Sequence, residues 1–359
     1  MKNISSKIIV ITLILTVLSL SSTYACTKFV YTGNDDIVLT GRTTDWSDEV
    51  STNLWLLPRG IKREGLAGKN SIKWTSKYGS IVATVHNIMT IDGMNEKGLT
   101  MSILRLKDSE FIPENKIGRR KGLGIALWGQ YFLDNFATVV EATKYMEKDN
   151  IYVMPFNIKK GENSGMHLVI SDAKGDFAVF EYTDGQLHIY KNPKYKIATN
   201  SPKYSDQIAI NYYWESVDGK FLPGTRTSSD RFSRGAYYLN KLPKTNNQEL
   251  AMAYVMSLLR NVSSPLGIRN SNSQEESATL WKTISDNKNK IYYYESSYKN
   301  YGFNIDLKKI DFAKDQEIKF IDLMGGKYYF GDATDKFVKT NSFKFFPSYE
   351  AIIDTNDLD

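Results

Sequence analysis

Apolar and polar residues alternate along most of this chain at the two-residue period of strands, and turn chemistry interrupts the alternation at intervals. The segment CTKFVYT (26–32) is β-branched and aromatic. It runs into the turn cluster Gly33-Asn34-Asp35-Asp36, after which IVLTGRTTDW (37–46) resumes the strand pattern. This predicts a β-hairpin over 26–46. Further strand chemistry spans 80–104, with a turn around 93–98, and 167–190, with turns at 173–175 and 183–185. A second hairpin is predicted over 280–297, turning across 286–289. A helical period appears only at 122–136, 138–148 and 247–261, with apolar residues three and four apart, the spacing of a helix lying on a sheet. Meandering strand pairs with helices in separate blocks predict the α+β class, antiparallel sheets covered by helices. No repeat, Pro-rich linker or low-complexity tract divides the chain, so 26–359 is expected to form a single domain.

Residues 1–25 follow a different pattern. Lys2 and Lys7 precede a 13-residue apolar stretch, Ile8 to Leu20, and Thr23-Tyr24-Ala25 ends on a small residue. That is the order of a secretory signal peptide, too short in its apolar part to span a bilayer. The mature chain is expected to begin at Cys26, in the periplasm or outside the cell, with no stable membrane insertion. Composition agrees with a globular protein: 42% hydrophobic, 24% charged, with 6 Trp, 23 Tyr and 17 Phe to fill a core. Removing the leader takes two lysines and no acids, which lowers the formal charge only from +6 to +4. No basic tract tracks a phosphate backbone, so a nucleic-acid partner is not implied.

Cys26 is the only cysteine, so it cannot form an internal disulfide. It is free, dimer-forming, lipidated or catalytic. A lipid-anchored, non-catalytic surface protein is the alternative reading. It fits poorly with Thr23 and bulky Tyr24, where lipidation usually wants Leu and a small residue. The hairpin turn pairs positions whose numbers sum to roughly 69, which sets Cys26 opposite 42–45, a window holding Arg42 and Asp45. Alternation puts these two on opposite faces unless Gly41 makes a bulge. A nearby cation favours the thiolate. Cleavage after Ala25 also bares an α-amine, of reference pKa about 7.7–8.0, that can act as a built-in base. Asp45 would position that amine, and Arg42 would hold the thiolate side. The rival is a Cys–His hydrolase of the papain kind. It is weaker because His86, His167 and His188 all lie in strand-like runs and a strand, not a helix, follows Cys26. No His or Cys cluster has zinc-ligand spacing, so no metal is expected.

The segments CTKFVY, TGRTTDW, DGMNEKGL, TNSPKY and LPGTRTSSDRFSR, in this order, resemble the choloylglycine hydrolase family, which includes bile salt hydrolases and penicillin V acylases. The resemblance implies an N-terminal-nucleophile hydrolase fold, an αββα sandwich of two antiparallel sheets between helical layers. It also implies no cofactor, homotetrameric assembly and hydrolysis of linear amides. It makes Cys26 the attacking residue, Arg42 and Asp45 its neighbours, Asn200 in TNSP an oxyanion donor, and Arg231 in SSDRF the second arginine of the site. Many bile salt hydrolases carry an asparagine where this chain has Arg105, which weakens inference about substrate; Arg105 is a candidate for an anionic substrate group. Trp46 and Trp55 are candidates to line an apolar acyl pocket. The expected substrate is a small amide with an apolar acyl group, such as a conjugated bile acid, phenoxymethylpenicillin or an N-acyl homoserine lactone. Asp184 and the run Asn95-Glu96-Lys97-Gly98 are assigned to turns.

Overall fold

The computed structural model describes residues 26–47, 49–159, 162–191, 193–269 and 277–349. The leader, residues 1–25, lies outside them. Sixteen strands make two large sheets. In chain order they begin with β1 (Thr27–Thr32), β2 (Val38–Trp46), β3 (Leu54–Leu57), β4 (Ser80–Val85), β5 (Met89–Asn95) and β6 (Thr100–Arg105). After two helices, α1 (Ile125–Asn135) and α2 (Val139–Met146), come β7 (Met166–Ser171), β8 (Phe177–Thr183), β9 (Gln186–Tyr190) and β10 (Ile197–Thr199). Three helices follow: α3 (Tyr204–Ser216), α4 (Ser228–Lys241) and α5 (Gln248–Asn261). The chain then closes with β11 (Ala278–Asp286), β12 (Ile291–Ser296), β13 (Gly302–Asp306), β14 (Lys319–Ile321), β15 (Gly331–Asp332) and β16 (Val338–Lys339).

The first sheet has the order β10-β1-β2-β11-β12-β13-β15 and the second β9-β8-β7-β6-β5-β4-β3-β14-β16. Both are antiparallel except for the short β13–β15 edge pair, which is parallel. Helices α4 and α5 pack on β1, β2, β10 and β11, with α3 against α4, whereas α1 and α2 lie on β5, β6 and β8. The sheets face each other between these layers, the αββα arrangement that the resemblance implied.

Alternation decides what fills each gap. On β1, Phe29 and Tyr31 point to the α4–α5 side, in one apolar cluster with Phe232, Ala251, Val255 and Leu259. Lys28, just before Phe29 and on the opposite face, reaches the second sheet instead, its Nζ donating to Val169 O at 3.2 Å. On the far side, α1 is buried almost throughout, with Trp128, Phe132 and Leu133 against Met94, Met101 and Phe180. Over the middle of α1 the end of the Met101 side chain from β6 lies so close that a Cβ on Gly129 would fall 1.6 Å from its Cε, so a larger residue there would require that side chain to move.

Several expectations are corrected. The helix expected at 122 starts at Ile125, because Lys121–Gly124 pairs as a strand with Ile151–Met154. Between 80 and 104 the chain turns twice, not once. His86 and Asn87 adopt left-handed φ of 47° and 52° and separate β4 from β5. His86 is therefore a turn residue, not part of a strand. Gly93 and Met94 remain inside β5, and the second turn begins at Glu96. Gly41 makes no bulge. It pairs regularly with Phe29 and Ile284, and the irregularity sits on β11 around Leu280. Gly41 is small because α5 approaches: an added Cβ would lie 2.8 Å from Phe29 Cζ and 3.1 Å from Val255 Cγ1. Helices α3 and α4 were not foreseen.

Candidate active site

The hairpin β1–β2 pairs Thr27 with Thr43, one residue from the expected register. On its other flank Thr27 pairs with Thr199 of β10. One step further along both ladders sets Cys26 between Thr44 and Asn200. The thiol is buried, and the Asp45 N–H donates to its Sγ at 3.4 Å, with the Asp45 carbonyl 3.8 Å away. Burial pushes the thiol up from its ordinary pKa. The Arg42 charge, the Asp45 N–H and Arg231 pull it down, and the Asp45 carboxylate adds to the rise.

Arg42 and Asp45 do lie on opposite faces of β2, as alternation predicts. Arg42 points between the sheets. Its guanidinium donates to the carbonyls of Ile91 and of Ile103 (2.9 Å), sits 3.2 Å from Asp92 Oδ1, and stacks 5.2 Å from the Trp281 ring. Its two terminal nitrogens are thus spent on the second sheet, while the buried Nε has no hydrogen-bond partner among the described residues; its effect on the sulfur is electrostatic. Asp92 is held in turn by Ser102 Oγ (2.6 Å), Thr283 Oγ1 (3.0 Å) and Tyr292 Oη (2.6 Å). Asp45 points the other way, to α4, where Arg231 donates to its Oδ2 and also to Ser264 Oγ. The other carboxylate oxygen, Oδ1, is buried and has no hydrogen-bond partner among the described residues. Asn200 is similarly placed: 2% exposed, with neither its Oδ1 nor its Nδ2 partnered. Buried polar atoms are nearly always satisfied in native proteins, and these, beside a thiol, are open to hydrogen bonds from water or a bound group.

Cys26, Arg42 and Asp45 border a cleft of about 970 Å³, counted out to its open mouth; Asn200 and Arg231 stand behind Cys26 and Asp45 and are not part of its lining. Cys26, Arg42, Asp45 and Thr44 form its polar end, and Trp46, Ile88, Met89, Phe156 and Met166 are among its apolar walls. Arg105, at the end of β6, and His86 complete the lining. Trp46 thus lies where the sequence suggested. Trp55 does not: it is buried against Phe320 and Phe343, with its Nε1 donating to Asn87. Of the three histidines only His86 borders the cleft. His167 is buried against Glu181, and His188 lies over Tyr190. No cluster of three or more metal-ligating side chains occurs among the described residues, and no helix among them is long and apolar enough to cross a membrane.

Sequence reasoning missed the groups that hold the site. Asp92 comes from β5, and Thr283 and Tyr292 from the β11–β12 hairpin; all are far along the chain from Arg42, and nothing local ties them to it. A signal for α4 was present: Thr227-Ser228-Ser229-Asp230 is an N-terminal cap, and Thr227 Oγ1 accepts from Asp230 N–H. That helix carries Arg231 to Asp45. A buried thiol with an adjacent acid, two guanidinium groups and an unpartnered carboxamide can perform acyl transfer through a covalent thioester.

A model of the linear amide C–N hydrolases, choloylglycine hydrolase family, matches residues 26–320. The penicillin V acylase of Pectobacterium atrosepticum is 37% identical over 333 residues, 87% of this chain and 89% of that one. A bile salt hydrolase/transferase of Clostridium perfringens is 24% identical over 310 residues, 79% and 93% of the two chains. The solved structure of a penicillin V acylase from Agrobacterium tumefaciens superposes with a TM-score of 0.82 at 43% identity, covering 89% of this chain and 99% of that chain. A mutant conjugated bile acid hydrolase from Clostridium perfringens shares the fold, with a TM-score of 0.71 at 23% identity and 86% and 98% coverage.

Proposed function

This chain belongs to the choloylglycine hydrolase family of linear amide C–N hydrolases, and on that premise we propose that it is an exported acylase whose nucleophile is an N-terminal Cys26. Its preferred substrates are amides of the phenoxymethylpenicillin type, in which a compact aryl-acyl group is joined to a polar amine. Relatives named penicillin V acylase are 37% and 43% identical, against 24% for a bile salt hydrolase/transferase, which supports that order. Cleavage after Ala25 would place the enzyme in the periplasm or outside the cell and bare the α-amine of Cys26.

The observation that carries the reading is the pair of unpartnered buried groups beside the sulfur, Asp45 Oδ1 and the Asn200 carboxamide. A free α-amine on Cys26 would donate to Asp45 Oδ1, the acceptor left over by Arg231. That amine takes the thiol proton, and Sγ attacks the amide carbon. Asn200 Nδ2 donates to the oxygen as it gains negative charge. The protonated amine then returns its proton to the leaving nitrogen as the C–N bond breaks, leaving a thioester. Water, deprotonated by the same amine, attacks the thioester and releases the carboxylic acid and the thiol. Arg42 sets the potential at the sulfur, and Arg105 at the cleft mouth offers a cation to an anionic amine product. Tetrameric assembly is the accompanying expectation, to be read by light scattering.

The test has two parts. The mass of the secreted protein should correspond to a chain starting at unmodified Cys26; a diacylglyceryl adduct, or a different first residue, would sink the N-terminal-nucleophile reading. The mature enzyme should then be assayed on penicillin V, glycine- and taurine-conjugated bile acids and N-acyl homoserine lactones, beside Cys26→Ala. Penicillin V should turn over fastest, with Cys26→Ala inactive. Turnover of none of these amides would remove the substrate class.

A further inference from the structure

No hydrogen bond among the described residues holds the buried Asn200 side chain, so its aim is set by packing and by the backbone that carries it, residues 199–202. That backbone is held from two directions. From α3, Gln207, fully buried, turns its carboxamide back onto the loop. Its Nε2 donates to the carbonyls of Thr199 (3.3 Å), Asn200 and Pro202 (2.6 Å). Its Oε1 accepts from the Thr199 N–H (3.2 Å) and Thr199 Oγ1 (2.8 Å). From the second sheet, Glu181 of β8 receives the first N–H of α3, that of Tyr204, at 3.1 and 2.9 Å on its two oxygens. Glu181 is itself fixed by His167 Nδ1 at 2.7 Å, and both side chains are completely buried. A third tie runs from the Lys107 N–H to Ser201 Oγ, 2.7 Å.

Burying an acid and a histidine costs several kcal/mol of desolvation, which an apolar pair would avoid. A carboxylate at a helix N-terminus offsets part of that cost. The remainder needs a reason, and the helix so anchored is the one that carries Gln207 to the Asn200 loop.

We infer that Gln207, with Glu181 and His167 behind it, forms a positioning unit that aims the Asn200 carboxamide at the carbonyl oxygen attacked by Cys26. The inference rests on the reading of Asn200 as the oxyanion donor. The unit touches no reacting atom; it acts through the backbone of residues 199–202. A misplacement near 1 Å at a reacting centre can cost about 10²-fold in rate.

The test is a double-mutant cycle on the mature enzyme with its best amide substrate. Gln207→Met keeps the side-chain length and removes every hydrogen bond. It should lower kcat about 10–100-fold with KM changed less than about twofold, and with circular dichroism unchanged. In an Asn200→Ala background the same change should cost less than about twofold, because there is no carboxamide left to aim. An equal loss in both backgrounds, or no loss in the native one, would overturn the inference and leave the oxyanion assignment standing. No effect of Asn200→Ala alone would instead remove the oxyanion assignment, and the inference with it. Should Gln207→Met fail to fold, Glu181→Gln, which weakens the anchor of α3 without changing its size, should show the same non-additivity at about 3–10-fold.

Discussion

Beside the cleft, the space between the two sheets and the space between sheet and helices are both filled with buried side chains, but near Cys26 they are made of opposite materials. Where β1, β2 and β11 face β5, β6 and β7, the side chains that meet are Lys28, Thr40, Arg42 and Thr283 on one side and Asp92, Thr100, Ser102 and Ser171 on the other. On the helix side of the same strands lie Phe29, Tyr31, Leu39 and Ile284, packed on Val255, Leu258 and Leu259. Apolar contact is proportional to area and tolerant of direction, whereas buried hydrogen bonds demand one geometry and penalise any other. The helix layers therefore hold the sheets together, and the inter-sheet layer fixes how the charges stand around the thiol. Even within the inner layer there is a contrast. Lys28 and Arg42 are register partners across β1 and β2, both buried. Arg42 has a carboxylate; among the described residues Lys28 has hydrogen bonds to Thr100 Oγ1 at 3.1 Å and the Val169 carbonyl, and no ion pair. Desolvation, with Arg42 adding to it, pulls the Lys28 ammonium down to about 7, although Asp92 opposes the fall.

The comparison can be broken most severely at its exception, the Arg231–Asp45 pair, which is ionic yet lies on the helix side. Arg231→Leu strands a buried carboxylate and should cost about 3–5 kcal/mol of stability together with most of kcat. A urea midpoint close to that of the native protein would show that the pair is not what holds α4. Next in size is Leu133→Ala, in the outer layer on α1. It should cost about 2–5 kcal/mol, yet leave kcat per folded molecule within about twofold. A large fall in kcat there would erase the distinction between the layers.

Asp92→Asn sharpens the comparison from the inside. It keeps the shape and most hydroxyl partners but removes the charge beside Arg42, and should lower kcat about 10–100-fold, about 1.4–2.7 kcal/mol, with a smaller change in melting temperature. Unaltered kinetics would mean that Arg42 does not need its anion. The smallest effect is expected from Lys28→Met. The folded group titrates near 7 and the unfolded one near 10.5, so between those values only the unfolded chain holds the proton. Stability contributed by this group therefore rises with pH from about 7 to about 10.5, and its penalty is fully present below 7. Native protein should gain roughly 2 kcal/mol more than Lys28→Met between pH 7 and pH 9, read from urea midpoints. Identical pH slopes would contradict a neutral, desolvated lysine.

How much of this was legible depended on the range of the interaction. The β1–β2 hairpin is local, and turn chemistry at residues 33–36 brought Cys26 beside Asp45 to within one residue of the true register. The strand-to-helix class could also be read, because Trp128, Phe132 and Leu133 keep a helical period. Helix α3 was invisible for a physical reason: its buried positions are Tyr204, Gln207 and Asn211, so the face it hides is largely polar and leaves no apolar stripe. Gly41 offered itself as a possible bulge site because the helix that requires its smallness is more than 200 residues away. The Arg42–Asp92 contact crosses from one sheet to the other, and no pattern within a strand records which strand will face it.

Cys26 is the only sulfhydryl in the chain and stands at the foot of the cleft. A thiol-selective reagent can therefore add only once per chain, and its adduct reports on this one position with no other thiol to confuse the stoichiometry. A preparation can thus be calibrated by mass alone before a single turnover is measured.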